Sequence, residues 1–250
     1  MRDERDDVRV KDTGAVTQIR FDAVDHVIDG RAILSGVSVD LSARRIGVIG
    51  RNGSGKTTFA RLLAGLVAPT SGTVTIDGID PAKDRRAALS LVGILFQNPD
   101  HQIIFPTVIE EVAFGLRQQG VDDPDARAQA VLDRFGKAHW RDAHVHSLSQ
   151  GQKQLVCLMS ILAMTPRILI LDEPFAGLDI PTRMQLARYL SHYDGTLVHV
   201  SHDPRDLAGY DHVLWLERGA VKGQGADVLD AFTDEMMRQG GGDDISDLSR

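Results

Sequence analysis

Eight residues, G-R-N-G-S-G-K-T from Gly50 to Thr57, have the types and spacing to hold a phosphate. They match the pattern G-x-x-x-x-G-K-[ST] at every fixed position. The apolar residues Ile46, Val48 and Ile49 before them read as a buried strand. After them, Phe59, Leu62, Leu63 and Leu66 recur at helical spacing. Strand, glycine-rich loop and helix start together make an anion cradle. Its backbone N–H groups point inward and the helix dipole adds positive charge. Gly50, Gly53 and Gly55 are expected to let the backbone approach a phosphate with no Cβ in the way. Lys56 is expected to reach the β- and γ-phosphates of a nucleotide, and the Thr57 hydroxyl to ligate Mg²⁺. Asn52, Ser54 and Thr58 complete the candidate nucleotide-holding set.

Two further groups could work with that loop. Ile168-Leu169-Ile170-Leu171-Asp172-Glu173 reads as an apolar strand ending in two carboxylates. Strand side chains alternate, so adjacent acids can take different tasks. Asp172 is the candidate second Mg²⁺ ligand, like the matching Asp of phosphate-loop NTPases. Glu173 is the candidate to polarise an attacking water. Leu148-Ser149-Gln150-Gly151-Gln152 places a hydroxyl and a glycine at a helix start, a second anion site. In isolation, a serine there is an ordinary helix cap.

The elements that must position these groups alternate along the chain. Residues 17–24, 37–41 and 73–76 read as half-buried strands, the last followed by the turn Asp77-Gly78. Residues 92–96, 168–171 and 197–200 are shorter, nearly continuous apolar runs, as in a parallel sheet covered on both faces. The stretch 98–165 is helical in pattern. Asp123 and Pro124 open one helix, with Ala128, Val131, Leu132 and Phe135 on its apolar face. A second helix follows Ser149, with Leu155, Leu158, Met159 and Leu162 on one face and Pro166 beyond its end. The expectation is an α/β domain over residues 17–230. Its nucleotide core covers about 17–97 and 166–230, and a helical lobe at about 98–165 is inserted between two strands. Residues 1–16 and 240–250, polar and mixed in charge, read as disordered tails.

Bulk properties narrow the class. The chain has 250 residues, 42% of them hydrophobic, enough for a substantial core. A formal net charge of -7 argues against nucleic acid as a partner. A single cysteine, Cys157, excludes an intrachain disulfide and reads as a small buried apolar side chain. The start M-R-D-E-R-D-D-V-R-V has no apolar centre, so it reads as no signal peptide. No apolar run approaches the ~20 residues that span a bilayer. Any membrane role is therefore expected to come through a partner.

The motifs together resemble the ATP-binding-cassette ATPases. L-S-Q-G-Q, Leu148 to Gln152, is similar to that family's signature motif. Gln97 in F-Q-N-P resembles the Q-loop glutamine, Ala176-Gly177-Leu178-Asp179 the D-loop, and Val200-Ser201-His202-Asp203 the switch-histidine motif. The resemblance implies a P-loop NTPase core with a parallel sheet, an N-terminal antiparallel β-subdomain and an inserted α-helical subdomain. It also implies ATP hydrolysis with Mg²⁺ by head-to-tail pairs. In such a pair Ser149, Gly151 and Gln152 face the nucleotide held by the partner's Lys56. Gln97 and His202 sense the γ-phosphate, Gln97 also serves the metal, and Asp179 links the two sites. Because every motif is present in one chain, a homodimer is expected. Three departures stand out: Gln150 for the usual glycine, Phe175 where threonine is common, and no aromatic between Asp22 and Ser35 to stack on adenine. Weaker adenine selectivity and weak GTP use follow, with Val27 or Ile28 offering only an apolar surface.

The segment after Gln97, Phe96 to Leu116, is similar to the energy-coupling-factor class of vitamin and metal importers. There the helical lobe receives a helix of an integral membrane coupling subunit, and a substrate-binding membrane subunit selects the cargo. The chain is then expected at the cytoplasmic face of the cell membrane, peripherally bound. Asp100, Glu110 and Glu111 are candidates to meet basic residues on the incoming helix, although each also reads as part of a solvated acidic face. Arg44-Arg45-Ile46-Gly47 and the run L-S-Q-G-Q-K-Q-L look most like biotin-importer ATPases, with cobalt or nickel importers next. His139, His144 and His146 fit no helix-face metal pair. The alternative from another class is a soluble cassette ATPase such as a cluster-assembly factor. A repair-type coiled coil is disfavoured, because the lobe is short and has no sustained heptads.

Overall fold

A computed structural model describes residues 16–240. The segments read as tails lie outside the described residues, apart from Val16 and Gly240. Strands β1 (Ile19–Ile28), β2 (Arg31–Leu41) and β4 (Ser71–Ile76) form an antiparallel sheet in the order β2-β1-β4. Ile19 and Phe21 point inward at period two. Ala23, at φ 46, then makes an irregularity, and Val24 becomes the next buried residue.

The second sheet holds β3 (Arg45–Ile49), β5 (Val92–Leu95), β6 (Ile168–Asp172), β7 (Thr196–Ser201), β8 (His212–Glu217) and β9 (Ala220–Gly225). Their order is β5-β6-β7-β3-β8-β9. Strands β5 to β8 are mutually parallel where they pair, and their apolar runs are covered on both faces. The edge strand β9 is antiparallel, which the expectation of a parallel sheet did not include. Arg218 and Gly219, both at positive φ, form the two-residue turn that forces this hairpin.

Seven α-helices and four short 3-10 turns complete the described chain, the α-helices being α1 (Lys56–Leu63), α2 (Arg85–Leu91), α3 (Val108–Gln118), α4 (Pro124–Arg134), α5 (Gln150–Ala163), α6 (Ile180–Ser191) and α7 (Val228–Gly240). Leu66, expected in the apolar stripe of α1, lies past its end and is 51% exposed. Gly65 at φ 68 ends the helix: its N–H bonds to Leu62 and that of Leu66 to Arg61. Asp123 caps α4, accepting from the Ala126 N–H at 3.1 Å, and Ala128 and Leu132 face inward. Helix α5 is buried around much of its girth, from Gln154 to Met159, rather than along one stripe. Burial also pushes the Cys157 thiol far above its ordinary pKa.

Three apolar clusters meet at the large sheet, the smallest joining Ile49, Val213 and Trp215 to Leu207 and to Val228 and Phe232 of α7. Another joins the antiparallel sheet to α1, with Phe21 stacked on Phe59 at a centroid distance of 4.2 Å. The third joins α3, α4 and α5 to Leu95, Leu169, Leu171 and Leu197. The parallel strands β3, β5, β6 and β7 all release their following loops at one edge. That edge is where open α/β sheets bind ligands. It receives the loop 50–55, Gln97, Glu173 and His202.

Candidate functional site

At this edge the loop after β3 and the start of α1 meet the ends of β6 and β7. Gly55 takes φ 101, and a Cβ there would lie 2.6 Å from Leu34 Cδ2. A Cβ on Gly50 would lie 2.2 Å from the Leu216 carbonyl oxygen. These glycines therefore answer to close packing of the protein on the loop, beyond the phosphate approach expected of them. The β8–β9 turn supports the loop from behind, its Gly219 N–H donating to the Ser54 carbonyl at 3.1 Å. Ser54 Oγ is buried with no hydrogen-bond partner among the described residues.

Lys56 opens α1 and is 6% exposed. Its Nζ donates to the carbonyls of Gly50 at 2.8 Å and Arg51 at 3.1 Å, and lies 3.8 Å from Glu173 Oε1. Burial lowers the Lys56 pKa, while Glu173 and then Asp172 pull it back up. The Thr57 hydroxyl donates to Asp172 Oδ1 at 3.2 Å. Burial raises the Asp172 pKa, and the bond from Thr57 opposes that rise. Glu173 follows the strand at φ 50, a conformation costly for a residue with a Cβ. Its N–H donates to the Val200 carbonyl at 3.0 Å, which ties the end of β6 to β7. Glu173 Oε2 meets His202 Nδ1 at 2.9 Å. One cation, two carboxylates, a hydroxyl and an imidazole thus converge from three loops.

The other expected residues stand elsewhere. Gln97 is exposed two residues beyond β5 and makes no hydrogen bond among the described residues. Ser149 caps α5: its Oγ accepts from the Gln152 N–H at 3.3 Å, and Gln152 Oε1 accepts from the Ser149 N–H at 2.8 Å. Asp179 caps α6, accepting from the Thr182 N–H at 2.9 Å; the Thr182 side chain first, and this backbone bond second, hold its carboxyl below the ordinary pKa. The two helix starts pack together, since a Cβ on Gly151 would lie 2.6 Å from Thr182 Cγ2. No hydrogen bond or ion pair among the described residues joins Gln97, Ser149, Gln152 or Asp179 to the Lys56 cluster. Asn52 and Thr58 lie on the loop and the first turn of α1 without a side-chain bond to it.

The acidic face expected after Gln97 is already engaged. Asp100 pairs with Lys153 at 2.7 Å, and Glu110 closes a capping box with Thr107. Glu111 is 4% exposed and accepts from the N–H groups of Ile104 and Phe105, both at 2.9 Å. A residue that sequence reasoning missed is Gln154, 1% exposed, which donates to the Phe96 carbonyl at 3.0 Å. Its signal is an amide within an otherwise apolar stretch of α5. Val27 and Ile28 are 41% and 47% exposed, while Phe21 is committed to its stack on Phe59.

Thr57 Oγ1 and the Asp172 carboxylate are neighbouring hard oxygen donors, the ligand type Mg²⁺ prefers, so this pair fits the ion. Lys56, now held only by neutral carbonyls and a more distant carboxylate, fits a phosphate anion. Comparison with known proteins points the same way. The family model described as ABC transporter matches residues 34–176. The biotin transport ATP-binding protein BioM of Rhodobacter capsulatus is 49% identical over 213 residues, 84% of this chain and 91% of that protein. The energy-coupling factor transporter ATP-binding protein EcfA1 of Latilactobacillus sakei is 38% identical over 206 residues, 78% of this chain and 72% of that one. Among solved structures, cbiO1 from Clostridium perfringens, part of the ABC transporter complex cbiONQ, has a TM-score of 0.72 at 28% identity. That match covers 90% of this chain and 94% of cbiO1.

Proposed function

The chain belongs to the ABC transporter family as an ATP-binding, ATP-hydrolysing component, and from that membership we propose that it drives an energy-coupling-factor importer for biotin. The observation that carries the cargo is the identity of 49% along 91% of a biotin transport ATP-binding protein. No described helix is long and apolar enough to cross a membrane, so the work is delivered through integral membrane partners: a coupling subunit and a substrate-binding subunit. The chain then sits at the cytoplasmic face of the membrane.

In this reading the nucleotide is held by Gly50, Asn52, Gly53, Ser54, Gly55, Lys56, Thr57 and Thr58. Lys56 exchanges its bonds to the Gly50 and Arg51 carbonyls for the β- and γ-phosphate oxygens. That exchange replaces neutral acceptors by charged ones, which make stronger bonds. Thr57, Asp172 and Gln97 would hold Mg²⁺, which neutralises developing phosphate charge when bound. Glu173 orients a water and accepts its proton as the oxygen attacks the γ-phosphorus. The bond to the bridging oxygen of ADP breaks in that step. His202 keeps Glu173 aimed through the contact at 2.9 Å and meets the γ-phosphate.

Ser149, Gly151, Gln152 and Asp179 serve a second copy. Two features support this: the two helix starts pack together, and none of these residues bonds to the Lys56 cluster of its own chain. ATP bridging two copies would favour the closed pair, and loss of the γ-phosphate contacts would release it. The helical segment 98–165 acts as the lobe that receives the membrane subunit. Glu110 and Glu111 are engaged by the chain itself and shape that lobe, whereas Asp100, paired with Lys153, remains a solvated charge on it.

The test is uptake of radiolabelled biotin together with recovery of the tagged chain from membranes. Removing the chain is expected to abolish high-affinity biotin uptake, and the chain is expected to co-isolate with a transmembrane subunit. Loss of cobalt or nickel uptake with biotin uptake intact would move the reading to a metal importer. Recovery of the chain free of any transmembrane protein would contradict the transport reading altogether.

A further inference from the structure

A group of side chains, buried at Ser201 and His199, largely buried at Asp206 and half-exposed at Arg183, connects the loops that present Glu173 and His202. Arg183 is the fourth residue of α6, whose cap is Asp179. Its guanidinium pairs with Asp206, in the turn after β7. The Asp206 side chain is only 9% exposed, and its other oxygen accepts the Ser201 hydroxyl at 2.9 Å. Ser201 closes β7 and directly precedes His202. The same guanidinium lies over Phe175, 5.0 Å from the ring centroid, and Phe175 is two residues beyond Glu173. His199 packs edge-on against the same ring at 5.5 Å, its Nδ1 2.9 Å from the Tyr210 hydroxyl. Burial, followed by the charge of Arg183, pushes the His199 imidazole down to about 3, so the ring is neutral and does not repel the guanidinium.

The geometry points to Arg183 as a positioning residue for ATP hydrolysis: it pins the loop after β6 through Phe175 and the loop after β7 through Asp206, keeping Glu173 and His202 in register. This rests on the functional reading above. A planar guanidinium can donate to a carboxylate and lie against an aromatic face at once, which an ammonium cannot do as well. The Glu173–His202 contact is exposed on the His202 side and rests on one bond, so it depends on the loops behind it.

Arg183→Met in the full chain, assayed with its membrane partners, tests this. Turnover is expected to fall roughly 100-fold, the scale of a misplaced catalytic group. The nucleotide dissociation constant, read with a fluorescent ATP analogue, is expected to stay within about twofold, because phosphate binding is uniform to both states. Arg183→Lys is expected to recover part of the rate. Arg183→Met combined with Asp206→Asn removes the stranded buried charge. That pair should restore the thermal midpoint while turnover stays low. Wild-type turnover in Arg183→Met, or turnover that recovers along with the thermal midpoint in the double variant, would overturn the assignment. The wild-type chain in the same assay tests the functional reading separately, since absence of its turnover would reject that reading and not the geometry.

Discussion

Glu173→Gln is expected to slow ATP hydrolysis by roughly 10²–10⁴-fold, the usual range for removing a general base. Nucleotide affinity should change little. The amide keeps the shape of the side chain and can still bond to His202, so the aim is preserved while the proton acceptor is lost. Two features single out this carboxylate over its neighbour. Asp172 is buried against Thr57, where a hydroxyl and a hard cation are its natural partners. Glu173 sits at φ 50, outside the strand, with one oxygen on His202 and the other facing Lys56. Single-turnover hydrolysis alongside equilibrium ATP binding checks the prediction. Undiminished turnover in the variant would transfer the role to another group.

Lys56→Ala is expected to weaken ATP binding by roughly 10- to 100-fold, since a charged hydrogen bond contributes about 1.5–3 kcal/mol. Turnover should fall to background. The empty protein should not be destabilised in proportion. Burial lowers the Lys56 pKa, so at neutral pH the ammonium is held in a place that disfavours its charge. Asp172 is disfavoured in the same sense, its pKa raised by burial. The site thus retains charges that a phosphate and a divalent ion would match. The expected signature is a thermal midpoint near that of the wild type without nucleotide, and loss of the rise that Mg-ATP produces in the wild type. Calorimetric titration and thermal melts read both quantities. Unchanged ATP affinity would remove Lys56 from the phosphate site.

Much of this site is legible along the chain because its signals are local. The loop from Gly50 to Thr57 is contiguous, and the two acids close an apolar run. Ser149 and Asp123 are caps whose partners lie three residues on. Contacts distant in sequence are less legible. Thr57 and Asp172 are 115 positions apart, and only the parallel order of β3, β7 and β6 brings them together. The link from Arg183 to Asp206 crosses from a helix to a turn and follows no period. The strands β8 and β9 and the helices α6 and α7 carry weaker punctuation, and no sequence pattern assigned them in advance. The acids at 100, 110 and 111 show the opposite error. Their types suggested a charged surface, but a capping box engages Glu110 and two backbone N–H groups engage the buried Glu111, which leaves the ion-paired Asp100 as the exposed acid of the three.

The glycines of the phosphate loop illustrate a similar shift in meaning. Their spacing implies room for an anion. Gly50 and Gly55 are in fact pressed against the Leu216 carbonyl and Leu34, so the loop is also shaped by the fold behind it. Local pattern identified the residues, whereas packing explains why larger ones would not fit.

If, as proposed, the Lys56 cluster is half of a site that a second copy completes through Ser149, sedimentation of the Glu173→Gln chain with Mg-ATP will reveal the pair. The expected result is an ATP-dependent dimer that Ser149→Arg, at an exposed cap, abolishes while ATP affinity stays the same. A chain that remains monomeric at saturating ATP, or a dimer that persists with Ser149→Arg, would contradict it.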